Sequence, residues 1–569
     1  MMKVIEKYYF FLLMITGLFI GASLRLYRIG SQIIWDDEWH GISSAVLHSL
    51  KYILTHFEAD DNCIPLSAYY RIMLYCGGLN EIIVRLPQIL SGILILIVFP
   101  LIARKLFNYR LSLIFLFMLS ISPLLIYFSR FARPYSIVVF LSFVSVFCFY
   151  FWITEGKRTY SVVYVIAAVL AIYFSPSSAG FVTAPVPYLI ILYIVERKRR
   201  KVTIPIILPS LKTIVILIAG LAAGIIVCLL PAAGTLGEIT SKVGESSVDF
   251  HTLARSAFLF CGSRSYILCM VLAALFVFGL PVLYMQDKVL FSYLLTICLL
   301  HLFFIVLSGP RLVRVSTVFT RYFLPTLPIF FIIISLALDN LHTRLTSLYP
   351  RRRKIATPVS ALVFLGLLSA LFFTGPLPEA YSFPNDFTNH MDFQYKYLRL
   401  SLPRIADARK SMYPQFYRNL KDQPESKLII EFPAVISWTW NIFHVYQRFH
   451  HWRVLIGYDS KYFGPFFGYP LLRNKGIRFN SFIDISDPQA LLNSSADLFV
   501  IHKNIWKECA AVGFHSPENR RKMKARLNLL PHPTTQDMAA YVKATITSMT
   551  AQFGNPFYED KWIVVYSLK

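Results

Sequence analysis

Charge is what this sequence has least of. Of its 569 residues only 15% are Asp, Glu, Lys or Arg, against 56% hydrophobic and 16% aromatic. Soluble globular chains carry about 25% charged residues, so this composition, with a mean hydropathy of +0.55, excludes a chain that is soluble throughout. Acidic residues are the scarcer kind, 31 Asp and Glu against 56 Lys and Arg, a net charge of +25. In a soluble protein such an excess suggests nucleic acid. Here no helical or RNA-binding motif accompanies it, and the basic residues fall largely in short loops between apolar runs, where membrane topology accounts for them. Cysteine is sparse and scattered: eight residues, no CxxC, no metal-ligand spacing, which argues against a zinc site. Several cysteines lie inside apolar runs. Cys63, Cys76, Cys261 and Cys509 fall on segments assigned to an oxidising side, and the sequence leaves their pairing open. His444, His450 and His451 fit surface or packed positions better than a metal centre.

What is present is a series of apolar runs near twenty residues long, the signature of a polytopic membrane protein. They fall near 8–27, 82–103, 110–129, 135–153, 160–175, 179–195, 212–232, 265–285, 289–308, 321–338 and 356–375, about eleven spans. The first follows Lys3 and Lys7 with no small-residue cleavage site, and reads as a retained anchor. Pro87, Pro123, Pro185 and Pro187 sit in or near span ends, where neighbouring helices can satisfy the freed carbonyls. Arg104-Lys105 with Arg110, Lys157-Arg158, Arg197 to Lys201, Lys288 and Arg351 to Lys354 share one side, the cytoplasm by the positive-inside rule. An odd number of spans places the first loop, 28–80, and the tail on the opposite side. From about 377 polar residues become common. β-like runs at 428–432, 454–458, 498–502 and 562–566 alternate with helix-like stretches, notably 516–530 and 535–553. The expected architecture is a polytopic α-helical membrane domain, 1–376, followed by a soluble extracytoplasmic α/β domain, 377–569.

The first loop opens on Trp35-Asp36-Asp37-Glu38-Trp39-His40. Carboxylates at a bilayer edge are costly, so the cluster needs solvent or a task. Trp35 and Trp39 suit stacking on sugar rings or an interfacial aromatic belt, and His40 could pair with a carboxylate. Ile42, Ala45, Val46, Ser49, Tyr52 and Ile53 recur at helical spacing, predicting an amphipathic helix on the membrane surface. Two loops on this same side break the charge rule. One reads Ser129-Arg130-Phe131-Ala132-Arg133-Pro134-Tyr135. The other reads Arg311-Leu312-Val313-Arg314, followed by Arg321-Tyr322. Guanidinium groups at this depth suit a lipid phosphate, which their planar fork grips in paired hydrogen bonds. Snorkelling to ordinary headgroups, or pairing with the acidic loop, is the competing account.

In order and spacing these residues resemble the GT-C glycosyltransferases that use polyprenyl-phosphate sugars, in particular the protein O-mannosyltransferase and aminoarabinose-transferase branch, glycosyltransferase family 39. Trp35 to Glu38 resembles that family's Asp-Glu motif, with Asp37-Glu38 as the matching pair. Pro65-Leu66 with Tyr69-Tyr70 is similar to its proline-leucine-tyrosine segment, and Glu81 with Arg85-Leu86-Pro87 to the opening of its next span. Arg130 to Tyr135 resembles its arginine-rich turn, and Arg321 to Pro325 with Pro328 its late Arg-Tyr-x-x-Pro span. The sequence departs from the pattern where Asn62-Cys63 stand in place of a histidine, and in the extra Asp36.

The resemblance implies inverting sugar transfer from a lipid-phosphate donor at the outer face of a cell inner or plasma membrane, onto a glycan, lipid or protein hydroxyl. Asp37 would be the base. Glu38 or Asp36 would position the acceptor or support Asp37. Arg130, Arg133, Arg311, Arg314 and Arg321, with Tyr135 and Tyr322, would meet the donor, with Trp35 and His40 as further substrate contacts. No cofactor is required, and nothing in the sequence supports a divalent metal. A transporter or flippase of lipid-linked sugars is the alternative, against which stand the gathering of charge at one face and the lack of an inverted repeat. A glycan-binding scaffold whose tail does the work is a third reading.

Overall fold

The computed structural model describes residues 2–382 apart from 33, 35–37, 59–62, 199–206, 245–246, 264, 311–312 and 349–352. In the tail it describes 414–420, 427–433, 443, 446, 450, 452–458, 482–486, 488–505, 507–508 and 535–569. The expected helix over 516–530 lies outside these residues. The chain divides into two compact units. One comprises Met1–Tyr27, His48–Tyr70 and Arg85–Leu377, the other Arg28–Leu47, Arg71–Val84 and Pro378–Lys569.

Up to residue 382 the described secondary structure is helical. Among the described residues seven segments are long and apolar enough to cross a membrane: Glu81–Leu106, Tyr135–Glu155, Pro176–Ile194, Leu211–Thr235, Tyr266–Gln286, Lys288–Ser308 and Ser316–Ser347. The bent pair Tyr109–Ile121 and Pro123–Ser129 makes an eighth if counted as one span. Three shorter apolar helices, Phe10–Leu26, Arg158–Phe174 and Pro358–Thr374, lie where further spans were expected but fall short of that length, so among the described residues seven or eight segments qualify against the eleven expected. The chain is an integral membrane protein by these lengths and compositions.

Breaks and contacts follow from local chemistry. The pair at 109–129 bends by 60° because Pro123 lacks an N–H and pushes Ser122 out of the α region, to φ −61° and ψ 116°. The Tyr266–Gln286 helix meets the Ser316–Ser347 segment at Gly279. A Cβ there would stand 2.3 Å from the Ile333 carbonyl oxygen, so only glycine lets the two backbones approach. The amphipathic helix expected around 42–53 is two helices, Glu38–Leu47 and Leu50–Thr55. Ser49 restarts the second by accepting the Tyr52 N–H at 3.3 Å, a serine N-cap.

Among the described residues the second unit holds a six-stranded sheet: β1 Leu428–Phe432, β2 Arg453–Tyr458, β3 Phe482–Asp484, β4 Leu498–His502, β5 Tyr558–Glu559 and β6 Ile563–Ser567. Their order is β3-β2-β1-β4-β6-β5. The first four are parallel, and β6 is antiparallel to both β4 and β5. β1 (LIIEF) and β4 (LFVIH) are near-continuous apolar runs, as parallel strands buried on both faces require. The Thr535–Phe553 helix, expected over the same residues, packs against β4 and β6.

Candidate active site

The arginine-rich turn joins the Pro123–Ser129 helix to the Tyr135–Glu155 helix. Arg130 is fully buried in it. Its Nη1 donates to the carbonyls of Leu24 (3.3 Å), Arg25 (3.0 Å) and Tyr27 (2.7 Å). These belong to the end of the Met2–Leu26 helix, where carbonyls lack intrahelical partners and the dipole is negative. Arg25, also fully buried, returns the contact. Its Nη1 donates to the carbonyls of Gly21 (2.9 Å) and Ser120 (3.4 Å), and its Nη2 to that of Leu119 (3.2 Å). The last two close the Tyr109–Ile121 helix. Gly92 leaves room beside them, since a Cβ there would lie 2.2 Å from Ser129 Oγ and 3.2 Å from Arg25 Nε.

Beyond this lock lie the residues that face each other across the motifs. The Tyr70 hydroxyl donates to the Ala132 carbonyl at 3.3 Å, tying the Tyr69-Tyr70 pair to the arginine turn. Arg133 is half-buried in that turn. Tyr135 opens the next helix with its ring against Phe128 at 4.9 Å. The Arg321 guanidinium stands over the Tyr135 ring, 5.7 Å from its centroid, at cation–π distance. Three stretches separated by some fifty to two hundred residues thus meet within the first unit.

Arg321 is carried by the short helix Ser316–Phe323, held from two sides. His301, buried in the Lys288–Ser308 helix, hydrogen-bonds through Nε2 to the Tyr322 carbonyl at 3.0 Å. A carbonyl only accepts, so Nε2 carries the proton. The ring stacks on Phe323 at 5.5 Å and meets Phe181 edge-on at 5.4 Å. From the other side, Thr252 Oγ1 donates to the Arg314 carbonyl (2.7 Å) and Ser256 Oγ to that of Ser316 (3.1 Å). Arg314 itself is exposed. Its Nε donates to the Ser247 carbonyl (3.1 Å) and its Nη2 to Ser247 Oγ (2.9 Å), so its fork closes a loop. Tyr322, beside Arg321, is half-buried.

Of the acidic motif, Glu38 begins the Glu38–Leu47 helix and is fully buried there, a favourable position for an anion at a helix N-terminus. It is not a solvated loop charge. His40, in the same first turn, is half-buried. Trp35, Asp36, Asp37 and Arg311 lie outside the described residues. Elsewhere in the second unit, Arg71 Nη1 donates to the Ala45 carbonyl (3.0 Å), fixing the far turn of the helix that Glu38 starts.

The tail sheet contains a second concentration of buried charge. Glu431 in β1 and His502 at the end of β4 are fully buried, as is Glu508. His502 Nε2 lies 2.8 Å from Glu431 Oε2 and Nδ1 lies 2.8 Å from Glu508 Oε2. The Tyr417 hydroxyl donates to both Glu431 oxygens (2.9 and 2.8 Å), and that of Tyr446 to Glu508. Burial opposes a charge on the imidazole, but the Glu508 charge and the hydrogen bonds to both carboxylates outweigh it and hold its pKa up at about 10. Burial in turn raises Glu431, against the pull of His502. Among the described residues no three His, Cys, Asp or Glu side chains gather in a way that could hold a metal ion.

Sequence reasoning did not single out Arg25, Gly92 or His301. An arginine at a span end looks like a snorkelling residue, and a histidine inside an apolar run like a packed one. Only their partners give them a place.

Residues 65–223 match the family model described as dolichyl-phosphate-mannose-protein mannosyltransferase. That segment contains three of the five resembling motifs, at 65–70, 81–87 and 130–135. No curated protein sequence matches. Among solved structures the chain is similar to ArnT from Cupriavidus metallidurans bound to undecaprenyl phosphate, at 14% identity over 99% of this chain and 97% of that one, TM-score 0.42. It is also similar to the archaeal oligosaccharyltransferase AglB from Archaeoglobus fulgidus, in complex with an inhibitory peptide and a dolichol-phosphate, at 12% identity over 89% of this chain and 71% of that one, TM-score 0.42.

Proposed function

We propose that the protein is a membrane glycosyltransferase that moves a sugar from a polyprenyl-phosphate donor to an acceptor hydroxyl at the extracytoplasmic face, with inversion. The observation that carries this reading is the meeting of Tyr70, the Arg130–Tyr135 turn and Arg321 in the first unit. The family match over residues 65–223 supports it.

In this reading the acceptor oxygen attacks the anomeric carbon from the side opposite the phosphate. The new C–O bond forms as the sugar–phosphate bond breaks, and the hydroxyl proton passes to a carboxylate. Asp37 is that base, and Glu38 or Asp36 orients the acceptor or supports Asp37. Base catalysis of this kind contributes about 10²–10⁴-fold. The lipid phosphate departs as an anion and needs no proton from an acid. It needs positive charge already in place, since preorganised donors stabilise developing charge without reorganising. Arg133 and Arg321 supply it, with Tyr135 holding the Arg321 plane. Arg130 keeps the turn in position through the end of the first helix. Arg314 acts through the loop it closes, and Tyr322 and His40 line the substrate path.

The test is a reconstitution of the full chain in lipid with a polyprenyl-phosphate hexose or pentose and a hydroxyl acceptor. The expected result is stoichiometric release of polyprenyl phosphate and glycosylated acceptor. Movement of intact donor across the bilayer with no product would replace transfer by transport.

A further inference from the structure

We propose that Cys261 and Cys269 form a disulfide that clamps the Phe250–Cys261 helix to the start of the Tyr266–Gln286 span. Both residues are buried, and both are thiols in this structure. Both sulfurs lie against the same turn of backbone. Cys261 Sγ also contacts the Cys269 carbonyl at 3.9 Å, and Cys269 Sγ the Ser263 carbonyl at 3.5 Å.

The backbone between them is built to keep the sulfurs together. Gly262 ends the first helix in the left-handed region, φ 75°, which turns the chain back at little cost for glycine. Ser263 Oγ pairs with Thr374 Oγ1 at 2.6 Å and accepts the Ser265 N–H at 3.0 Å. Ser265 Oγ then caps the next helix by accepting the Leu268 N–H at 3.3 Å.

The charge pattern of the loops puts the segment before residue 265 on the non-cytoplasmic side, where disulfides form and persist. Two thiols lose two protons and two electrons as the S–S bond forms. The electron pair reduces the disulfide of a thiol oxidoreductase of that compartment to its dithiol, by exchange through a mixed disulfide. Because both sulfurs are buried, exchange takes place before the helix docks. The clamped helix is the one whose Thr252 and Ser256 hold the segment bearing Arg321, so the bond braces that arginine from behind.

The experiment is peptide mapping of the full chain taken from membranes, alkylated with N-ethylmaleimide before any reductant is added. Trypsin cuts after Arg255, Arg264 and Lys288 and so separates the two cysteines. The expected result is Ser256–Arg264 joined to Ser265–Lys288, lighter by two hydrogen atoms than the separate peptides, free of maleimide and parted by reductant. Recovery of the two peptides apart, each carrying maleimide, overturns the proposal, as does Cys261 joined to any other cysteine. A stability measurement supplies the second arm. Reductant lowers the melting temperature of the purified wild-type chain and leaves that of Cys261→Ser/Cys269→Ser unchanged. An equal response of the two overturns it.

Discussion

Arg25 and Arg130 each close the end of the helix that leads toward the other. Arg130 spends Nη1 on the last carbonyls of the Met2–Leu26 helix, while Arg25, in that helix's last turn, serves the last carbonyls of the Tyr109–Ile121 helix. Two like charges lie buried side by side because each sits at the negative end of a helix dipole. The exchange fixes where the arginine turn begins, and so where Arg133 and Tyr135 point.

Arg130→Ala strands several carbonyls in the protein interior. Nη1 has two hydrogens to give, and hydrogen bonds from charged groups are each worth about 1.5–3 kcal/mol, so a loss of stability of about 3–6 kcal/mol is expected. Thermal unfolding in detergent measures it. Arg130→Lys recovers only part, because an ammonium cannot reproduce the fork. Arg133→Ala, at a half-buried site, melts close to wild type. An Arg130→Ala protein as stable as wild type would remove the lock.

Arg321→Ala is expected to reduce kcat/KM for the donor by roughly 10–100-fold, the equivalent of one charge-assisted hydrogen bond to phosphate, while KM for the acceptor stays near wild type. Arg321→Lys retains an intermediate rate. Tyr135→Leu removes the ring beneath the guanidinium and gives a smaller loss of the same kind, as a cation–π contact is worth about 0.5–2 kcal/mol. Equal effects on both substrates would assign Arg321 to structure alone.

Asp37→Asn abolishes proton acceptance with little change of shape. Its kcat should fall by about 10²–10⁴-fold, with donor binding preserved in a direct assay using radiolabelled polyprenyl-phosphate sugar. Asp36→Asn and Glu38→Gln should each fall less. Normal turnover in the Asp37 variant would transfer the role of base to one of its neighbours.

The Glu431–His502–Glu508 cluster makes the tail's stability depend on pH. The folded pKa of His502 is raised, to about 10, above its ordinary 6.5. Its contribution is therefore full below 6.5 and lost as pH climbs through 10. Glu431 is raised as well. Its ionisation is resisted in the fold, so it too favours the folded state at lower pH. His502→Gln should cost most at pH 6 and progressively less toward pH 10. Hydrogen exchange of the β4 amides in wild type and variant, across that range, measures the difference. A gap that widens with pH would contradict the assignment of charge.

The sequence by itself determined the segments and their likeness. A bilayer accepts only backbone that satisfies itself, so apolar runs of span length announce helices whatever surrounds them. The apolar strands at 428–432 and 498–502 were equally legible, because burial on both faces leaves no polar alternation to mislead. So was the resemblance of residues 65–70, 81–87 and 130–135, which the family model covers. Only the tertiary structure decided what each charged side chain is for. An arginine in a loop reads the same whether it meets a phosphate, a headgroup or a carbonyl. Arg130 finds its carbonyls more than a hundred residues away, Arg314 turns to Ser247, and Arg321 settles over Tyr135 behind a histidine that no local pattern marks. Helix propensity and hydropathy act over neighbouring residues, whereas the partner of a buried charge is chosen by packing between helices distant in the chain.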